Sequence, residues 1–412
     1  MPAKFVIAAS FVPGMFGQYP DADAFALLHK AMELDARRTY TAIVDLNPWN
    51  EEASRVKIDQ SNCGRYLMQV LSPVSMKGRT FLNDGKQWYA FKPDQNLVLI
   101  QESPMPRPSG RELDLRYELL RRNYEASIEG TEFIAGREAV RIRIVPKERE
   151  KLFARKYWVD TEKLVILRVS ETHPSGTSRT VSDTISISFL QSLPKETFEL
   201  RLSGEPREIR MKGPERCSSI AKLSEKVGFR VVQPIRMPAG FTFTRAEALL
   251  AGDGSYTAAL RYTDGAANVT FYQFKRKSRP SRVDAAVDGI YIRVEGDLPS
   301  VMRSVLADTI RLSGSSAEAS LTKRLEEMTS FPSERIASLR SMGLTFDDAV
   351  GLISLASGNE RQLAVCLSLM RSGKCLEDIA AAVRVPVSKA TMALQKFWKG
   401  LETSFDNIEV GI

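Results

Sequence analysis

The sequence predicts an α+β protein: a curved antiparallel sheet wrapped on a helix, then a small α+β unit, then an all-α helical bundle. Three observations predict it. From Tyr40 to Leu190 apolar and polar residues alternate in short runs separated by turn residues, the mark of half-buried strands. The same alternation returns in a shorter stretch, from Tyr256 to Glu295, between two helical segments. Beyond Ser316 the apolar spacing is that of helices throughout.

At 412 residues the chain has room for several domains of about 100–200 residues each. A composition of 43% hydrophobic and 26% charged residues is that of a folded protein, which excludes overall disorder. The net charge of +8 favours acidic partners or anionic surfaces without naming one. The four cysteines, Cys63, Cys217, Cys366 and Cys375, make no C-x-x-C pair, and His29 and His173 lie far apart. No metal or other cofactor is expected.

Lys4 precedes an apolar run from Phe5 to Phe16, so residues 1–20 are expected to be a signal peptide directing export. Ala22-Asp23-Ala24 offers a small-x-small cleavage pattern; a buried first strand is the competing reading. The run is too short to cross a bilayer, which takes about 20 apolar residues.

The elements follow in order. Residues 22–38 carry Phe25, Leu28, Met32 and Ala36 on one helical stripe. Strands are expected at 40–45, 54–59, 67–71, 79–82, 88–91 and 96–101, with Asn83-Asp84-Gly85 as a hairpin turn. Residues 104–110 are a proline-rich loop, and 113–124 read as a helix with Leu115, Leu119 and Leu120 inward. Strands resume at Ser127 and end with 182–190, which closes a first domain over residues 21–204. Residues 205–214, polar and proline-flanked, read as a linker. A second domain over residues 215–313 places a helix at 221–228, strands at 256–262, 268–274 and 291–295, and a closing helix at 299–312. Ser313-Gly314-Ser315-Ser316 opens a second linker, and residues 320–412 are expected to form an independent helical bundle.

Two stretches are more specific than periodicity. Phe133-Ile134-Ala135-Gly136-Arg137-Glu138-Ala139 leads into a strand, and Tyr157-Trp158-Val159-Asp160 into a polar turn and a strand ending at Arg168. Further on stand Met237-Pro238-Ala239-Gly240-Phe241, Tyr262-Thr263-Asp264-Gly265 and Val294-Glu295-Gly296-Asp297-Leu298-Pro299. In this order they resemble the MucB/RseB family, periplasmic regulators of envelope-stress sigma factors. The resemblance covers about residues 25–312; the helical tail has no counterpart in it. It implies a lipoprotein-carrier-like first domain and a periplasmic location. It also implies a partner, the periplasmic segment of an anti-sigma factor, released when an apolar groove meets lipid or lipoprotein acyl chains. A lipid carrier using the first domain alone is the alternative.

A curved sheet on one helix leaves an apolar groove, and Tyr40, Leu67, Trp88, Tyr89, Phe91, Leu97, Tyr124 and Trp158 are its candidate lining. The same residues also suit a plain core. No nucleophile–base pair, phosphate loop or dinucleotide fingerprint is present, so the chain is not expected to be an enzyme. In the tail, residues 376–392 have the helix–turn–helix pattern of DNA readers, with Lys389, Lys396 and Lys399 toward phosphate. Residues 321–412 nevertheless hold eleven basic and eleven acidic residues. Such a neutral module lacks the electrostatic footprint of nucleic-acid binding, and no nucleic acid is expected. In an exported chain Cys366 and Cys375 are the candidate disulfide.

Overall fold

The computed structural model describes residues 21–35, 37–47, 52–102, 110–147, 152–202, 204–238, 240–251, 254–275, 283–399 and 401. The expected signal peptide and all but the last residue of the proline-rich loop lie outside them.

The first unit opens with α1 (Asp21–Asp35), followed by β1 (Tyr40–Leu46), β2 (Ser54–Gln60), β3 (Tyr66–Ser72), β4 (Thr80–Asn83), β5 (Gln87–Lys92) and β6 (Leu97–Glu102). Then come α2 (Gly110–Asn123), β7 (Tyr124–Ile134), β8 (Arg137–Pro146), β9 (Ala154–Asp160), β10 (Ile166–Thr172) and β11 (Ser178–Phe189). With β12 (Arg207–Met211) they build one sheet in the order β12-β6-β5-β4-β3-β2-β1-β11-β10-β9-β8-β7. Helix α1 buries Phe25 and Leu28 against Tyr124, Ile142, Ile144, Tyr157 and Val159. A second cluster joins Tyr40, Ala42, Val44, Val56 and Val70 to Trp158 and Leu167.

The hairpin from β7 to β8 turns on two left-handed residues, Ala135 (φ 51°) and Gly136 (φ 75°), as a two-residue loop requires. Arg137, the first residue of β8, donates to the Oδ2 of Asp160. The other oxygen of Asp160 accepts from the backbone of Glu162 (3.0 Å) and Lys163 (2.5 Å) and so fixes the next turn. The two halves of the first sequence motif therefore meet through one buried carboxylate.

The second unit contains β13 (Glu215–Cys217), α3 (Ile220–Val227), β14 (Thr242–Leu250), β15 (Tyr256–Thr263), β16 (Asn268–Phe274), β17 (Ala285–Val287), β18 (Ile290–Gly296) and α4 (Ser300–Arg311). Its sheet runs β13-β14-β15-β16-β18-β17. Leu223 of α3 and Leu306 and Ile310 of α4 pack on Leu260, Phe271 and Ile292. The third unit is helical: α5 (Ser315–Thr329), α6 (Ser333–Ser341), α7 (Phe346–Ala356), α8 (Glu360–Arg371), α9 (Leu376–Val383) and α10 (Ser388–Trp398). Thr345 and Asp348 form a capping box at the start of α7, an arrangement worth about 1 kcal/mol.

Four expectations are corrected. The polar stretch 205–214 is not a free linker, because β12 pairs in parallel with β6; as an edge strand exposed on both faces it shows no alternation to read. Ser313 is fully buried, accepts from the Ile235 amide (3.1 Å) and donates to Thr309 O (2.9 Å). Helix α5 starts at Ser315, so no loose linker precedes it. The helical unit is not independent, since Ile235 of the second unit belongs to its core. Finally, Cys366 and Cys375 are free thiols: Cys366 sits buried in mid-α8, while Cys375 is the N-cap residue of α9.

Candidate functional site

Where the three units meet they enclose a cleft of about 1010 Å³. Helix α2 supplies one wall. Its Leu113, Leu119 and Leu120 are buried in the first unit, which turns Arg111, Leu115 and Arg122 toward the cleft. Leu115, expected inward, is only half-buried for this reason. The second wall is the Pro-Gly turn and β14, with Met237, Gly240, Phe241, Phe243 and Arg245. The helical unit supplies the third, with Leu344, Asp347, Met370, Lys374, Leu376, Trp398 and Leu401.

The cleft is basic. Its lining carries seven Lys and Arg residues against four Asp and Glu. Arg122 stands at the centre and binds all three units together. It donates to Gly240 O (3.0 Å) and Thr242 Oγ1 (3.2 Å) of the second unit, to Gly373 O (3.5 Å) of the third, and to neighbouring Asn123 Oδ1 (3.2 Å). All four acceptors are neutral, and among the described residues no carboxylate contacts this guanidinium. Burial lowers its pKa, with the more distant charge of Asp348 acting the other way. The guanidinium is half-buried, and a carboxylate reaching it would make a charge-assisted hydrogen bond in place of a neutral one. Arg236 is better provided for: its Nε donates to Asp347 Oδ2 (3.1 Å) and its guanidinium lies 4.4 Å over the Trp398 ring. Trp398 Nε1 donates to the other oxygen of Asp347 (2.5 Å). Burial pushes the Asp347 carboxyl up, against the pull of Arg236 and Trp398.

The joint between the first two units sits at the end of α2. Tyr124 OH donates to Asp264 Oδ2 (2.7 Å), and Asn123 Nδ2 to Gly240 O (3.0 Å) and Asp264 O (2.8 Å). Asp264 Oδ1 accepts from the amides of Ala266 (2.9 Å) and Ala267 (2.6 Å) and shapes the hairpin. Burial raises the Asp264 pKa, opposed by the Tyr124 hydroxyl and those amides. At Gly265 (φ +102°) a Cβ would lie 2.6 Å from Leu120 N, so only glycine lets the hairpin approach α2 this closely. The Pro-Gly turn and the Tyr-Thr-Asp-Gly hairpin of the sequence motifs are thus the surface by which the second unit docks.

The eight candidate groove residues do not converge. Tyr40, Gln60, Tyr66, Asn83, Trp88 and Gln101 form one cross-strand row, and Asp59, Leu67, Leu82, Tyr89 and Ile100 form the next. Adjacent rows face opposite ways. Trp88 and Leu97 therefore share the face of Tyr40, while Leu67, Tyr89 and Phe91 point to the other. Trp158 joins the cluster of Tyr40, whereas Tyr124 packs against α1. One lining cannot hold both Trp88 and Tyr89, because neighbours in a strand face opposite ways. His29 lies on α1, 4.0 Å from Asp114, and His173 caps a hairpin tip on Ser175. Among the described residues no group of three or more His, Cys, Asp and Glu gathers as for a metal ion, and no helix is long and apolar enough to cross a membrane. Sequence reasoning missed Arg122, Arg236, Asp347 and Trp398; the available signal was the motif turn that Arg122 grips.

Residues 26–202 match the family model of the MucB/RseB N-terminal domain. No curated protein matches the chain by sequence. Among solved structures the chain is similar to one from the Pseudomonas aeruginosa MucA/MucB complex, at 15% identity and TM-score 0.47, over 69% of this chain and 97% of that one. It is also similar to the lipoprotein LppX of Mycobacterium tuberculosis, at 12% identity and TM-score 0.29, over 42% and 99% of the two chains. A LolA superfamily protein from Nitrosomonas europaea aligns at 13% identity and TM-score 0.21, over 43% and 97%. The matched stretch takes in most of α1 and every strand from β1 to β11, with the Arg137–Asp160 contact that joins its two motif strands. Over residues 26–202, somewhat under half of its length, the chain is similar to the MucB/RseB N-terminal domain.

Proposed function

We propose that the chain is a periplasmic regulatory binding protein that holds the outer segment of an anti-sigma factor in the cleft and shields it from proteolysis. The observation that carries the reading is the cleft itself: large enough for a short peptide, lined with apolar side chains, and centred on Arg122, a cation with neutral partners only. The match of the first domain to the MucB/RseB family model supports an anti-sigma factor as that partner. Lipid sensing belongs to the same reading. Around Tyr40 and Trp158, the side chains of Ile58, Met68, Met76, Phe81, Ile187 and Phe189 are only partly buried, an apolar surface suited to an acyl chain.

The test is capture of the outer segment of a single-span membrane protein encoded beside a sigma factor, with and without added amphiphile. Binding should weaken at least tenfold in a Leu115→Asp variant and on adding a lipopeptide. Capture indifferent to both would overturn the reading.

A further inference from the structure

The cleft sits beside a segment of its own chain with matching chemistry. Trp398 and Leu401 line it, and α10 is held in place there by Arg324, which donates to Lys396 O (3.2 Å) and Lys399 O (2.7 Å). The chain therefore enters residues 402–412 from the cleft wall. That stretch, Glu-Thr-Ser-Phe-Asp-Asn-Ile-Glu-Val-Gly-Ile, has acidic residues at Glu402, Asp406 and Glu409 and contains no Lys or Arg. Phe405 and Ile408 fall between them, and Val410 follows the last. Extended, it reaches up to ~36 Å, enough to cross the cavity to the wall of α2.

We propose that residues 402–412 occupy the cleft as a tethered competitor of the partner segment. Charge complementarity selects this occupant. The basic lining faces an all-acidic segment, and Arg122, held by neutral acceptors alone, gains a carboxylate. Phe405, Ile408 and Val410 meet the apolar surface of Leu115, Met237 and Phe241. Tethering makes binding intramolecular, so even a weak contact is well occupied. A partner then binds with an affinity reduced by the fraction of time the cleft is closed. The helical unit thereby becomes a regulator of the site.

The inference rests on the cleft being a peptide site, and the experiment separates the two. The full chain is compared with a full-length variant carrying Glu402→Lys, Asp406→Lys and Glu409→Lys. A labelled synthetic peptide of residues 402–412 is titrated into each by fluorescence polarisation, and hydrogen exchange is followed in residues 110–123 and 236–250. The expected result is at least ~tenfold tighter peptide binding by the variant, with faster exchange in both segments. Equal affinity and equal exchange would overturn the proposal, as would failure of the variant to bind the peptide. Protection that rises with protein concentration would assign the occupant to a second copy, and overturn it too. The anti-sigma segment is titrated in parallel. If it binds both chains alike, the partner reading stands and the tethered competitor falls. If it binds neither while the peptide behaves as expected, the competitor stands and the partner reading falls.

Discussion

Trp158 is 7% exposed, donates its indole N–H to Glu132 Oε2 (2.8 Å) and lies beneath the Arg168 guanidinium at 5.4 Å. Truncation to alanine removes a buried ring and leaves Glu132 with one donor fewer. Trp158→Ala should cost about 3–5 kcal/mol, read from urea unfolding; an unchanged midpoint would contradict the packing described. Asp35 makes a pH-dependent case. Burial pushes its carboxyl from 3.8 to about 6, so the folded chain keeps a proton that the unfolded chain has released. Stability therefore falls as pH rises between those values and stays lowered above them. Asp35→Asn should raise stability at pH 8 by up to ~3 kcal/mol, with the gain gone near pH 3.5. These two residues differ in legibility. Trp158 stood in a sequence motif that marked it as a packed ring, whereas half-buried Asp35 meets residues distant in sequence, its carbonyl accepting from Gln60 Nε2 (2.7 Å).

Elements with a period or a turn signal were readable: the helix at α8, the strand at β16, and the hairpin at Asn83-Asp84-Gly85 all lie where the pattern put them. Strand β12 was not, because nothing on its exposed faces distinguishes it from a polar loop; its partner β6 lies over a hundred residues earlier. The helix–turn–helix pattern does produce two helices, α9 and α10, but Ile379, Ala380, Ala390 and Phe397 go into a shared core. The hairpin at Asp264-Gly265 offers the sharpest test at this scale. Gly265→Ala places a Cβ against the α2 backbone and strains a positive φ. It should destabilise by more than ~1 kcal/mol and speed exchange in the last turn of α2. Unaltered exchange there would mean that the hairpin does not press on α2.

At the scale of the molecule, the docking of the three units was not legible in the sequence. Contacts that join them depend on single residues with no local pattern: Ile235 entering the helical core, Gly343 lying against the Phe243 ring, and Arg340. The last is 3% exposed, pairs with Glu318 (2.8 Å), and donates to Pro234 O (3.2 Å) and Leu344 O (2.5 Å). Arg340→Ala leaves Glu318 with Arg230 alone (3.3 Å) and strands two carbonyls, at an expected cost of about 3 kcal/mol. Thermal unfolding should then show the helical unit leaving first; a single unaltered transition would count against this coupling. The cleft was invisible in the sequence for the same reason, being made where the three units meet. Only the motif turns at Gly240 and Asp264 hinted at it, and they read as signatures rather than as walls.

Strand β12 has a mechanical meaning as well. It is the tether between the two sheets, and five residue pairs lash it alongside β6. If the second unit swings away to widen the cleft, tension reaches this tether at Met211, its end nearer that unit. The pairs then peel one at a time, as a zipper does, instead of shearing together. Each released pair lengthens the slack between the units, so the cleft opens in increments rather than at a single yield point.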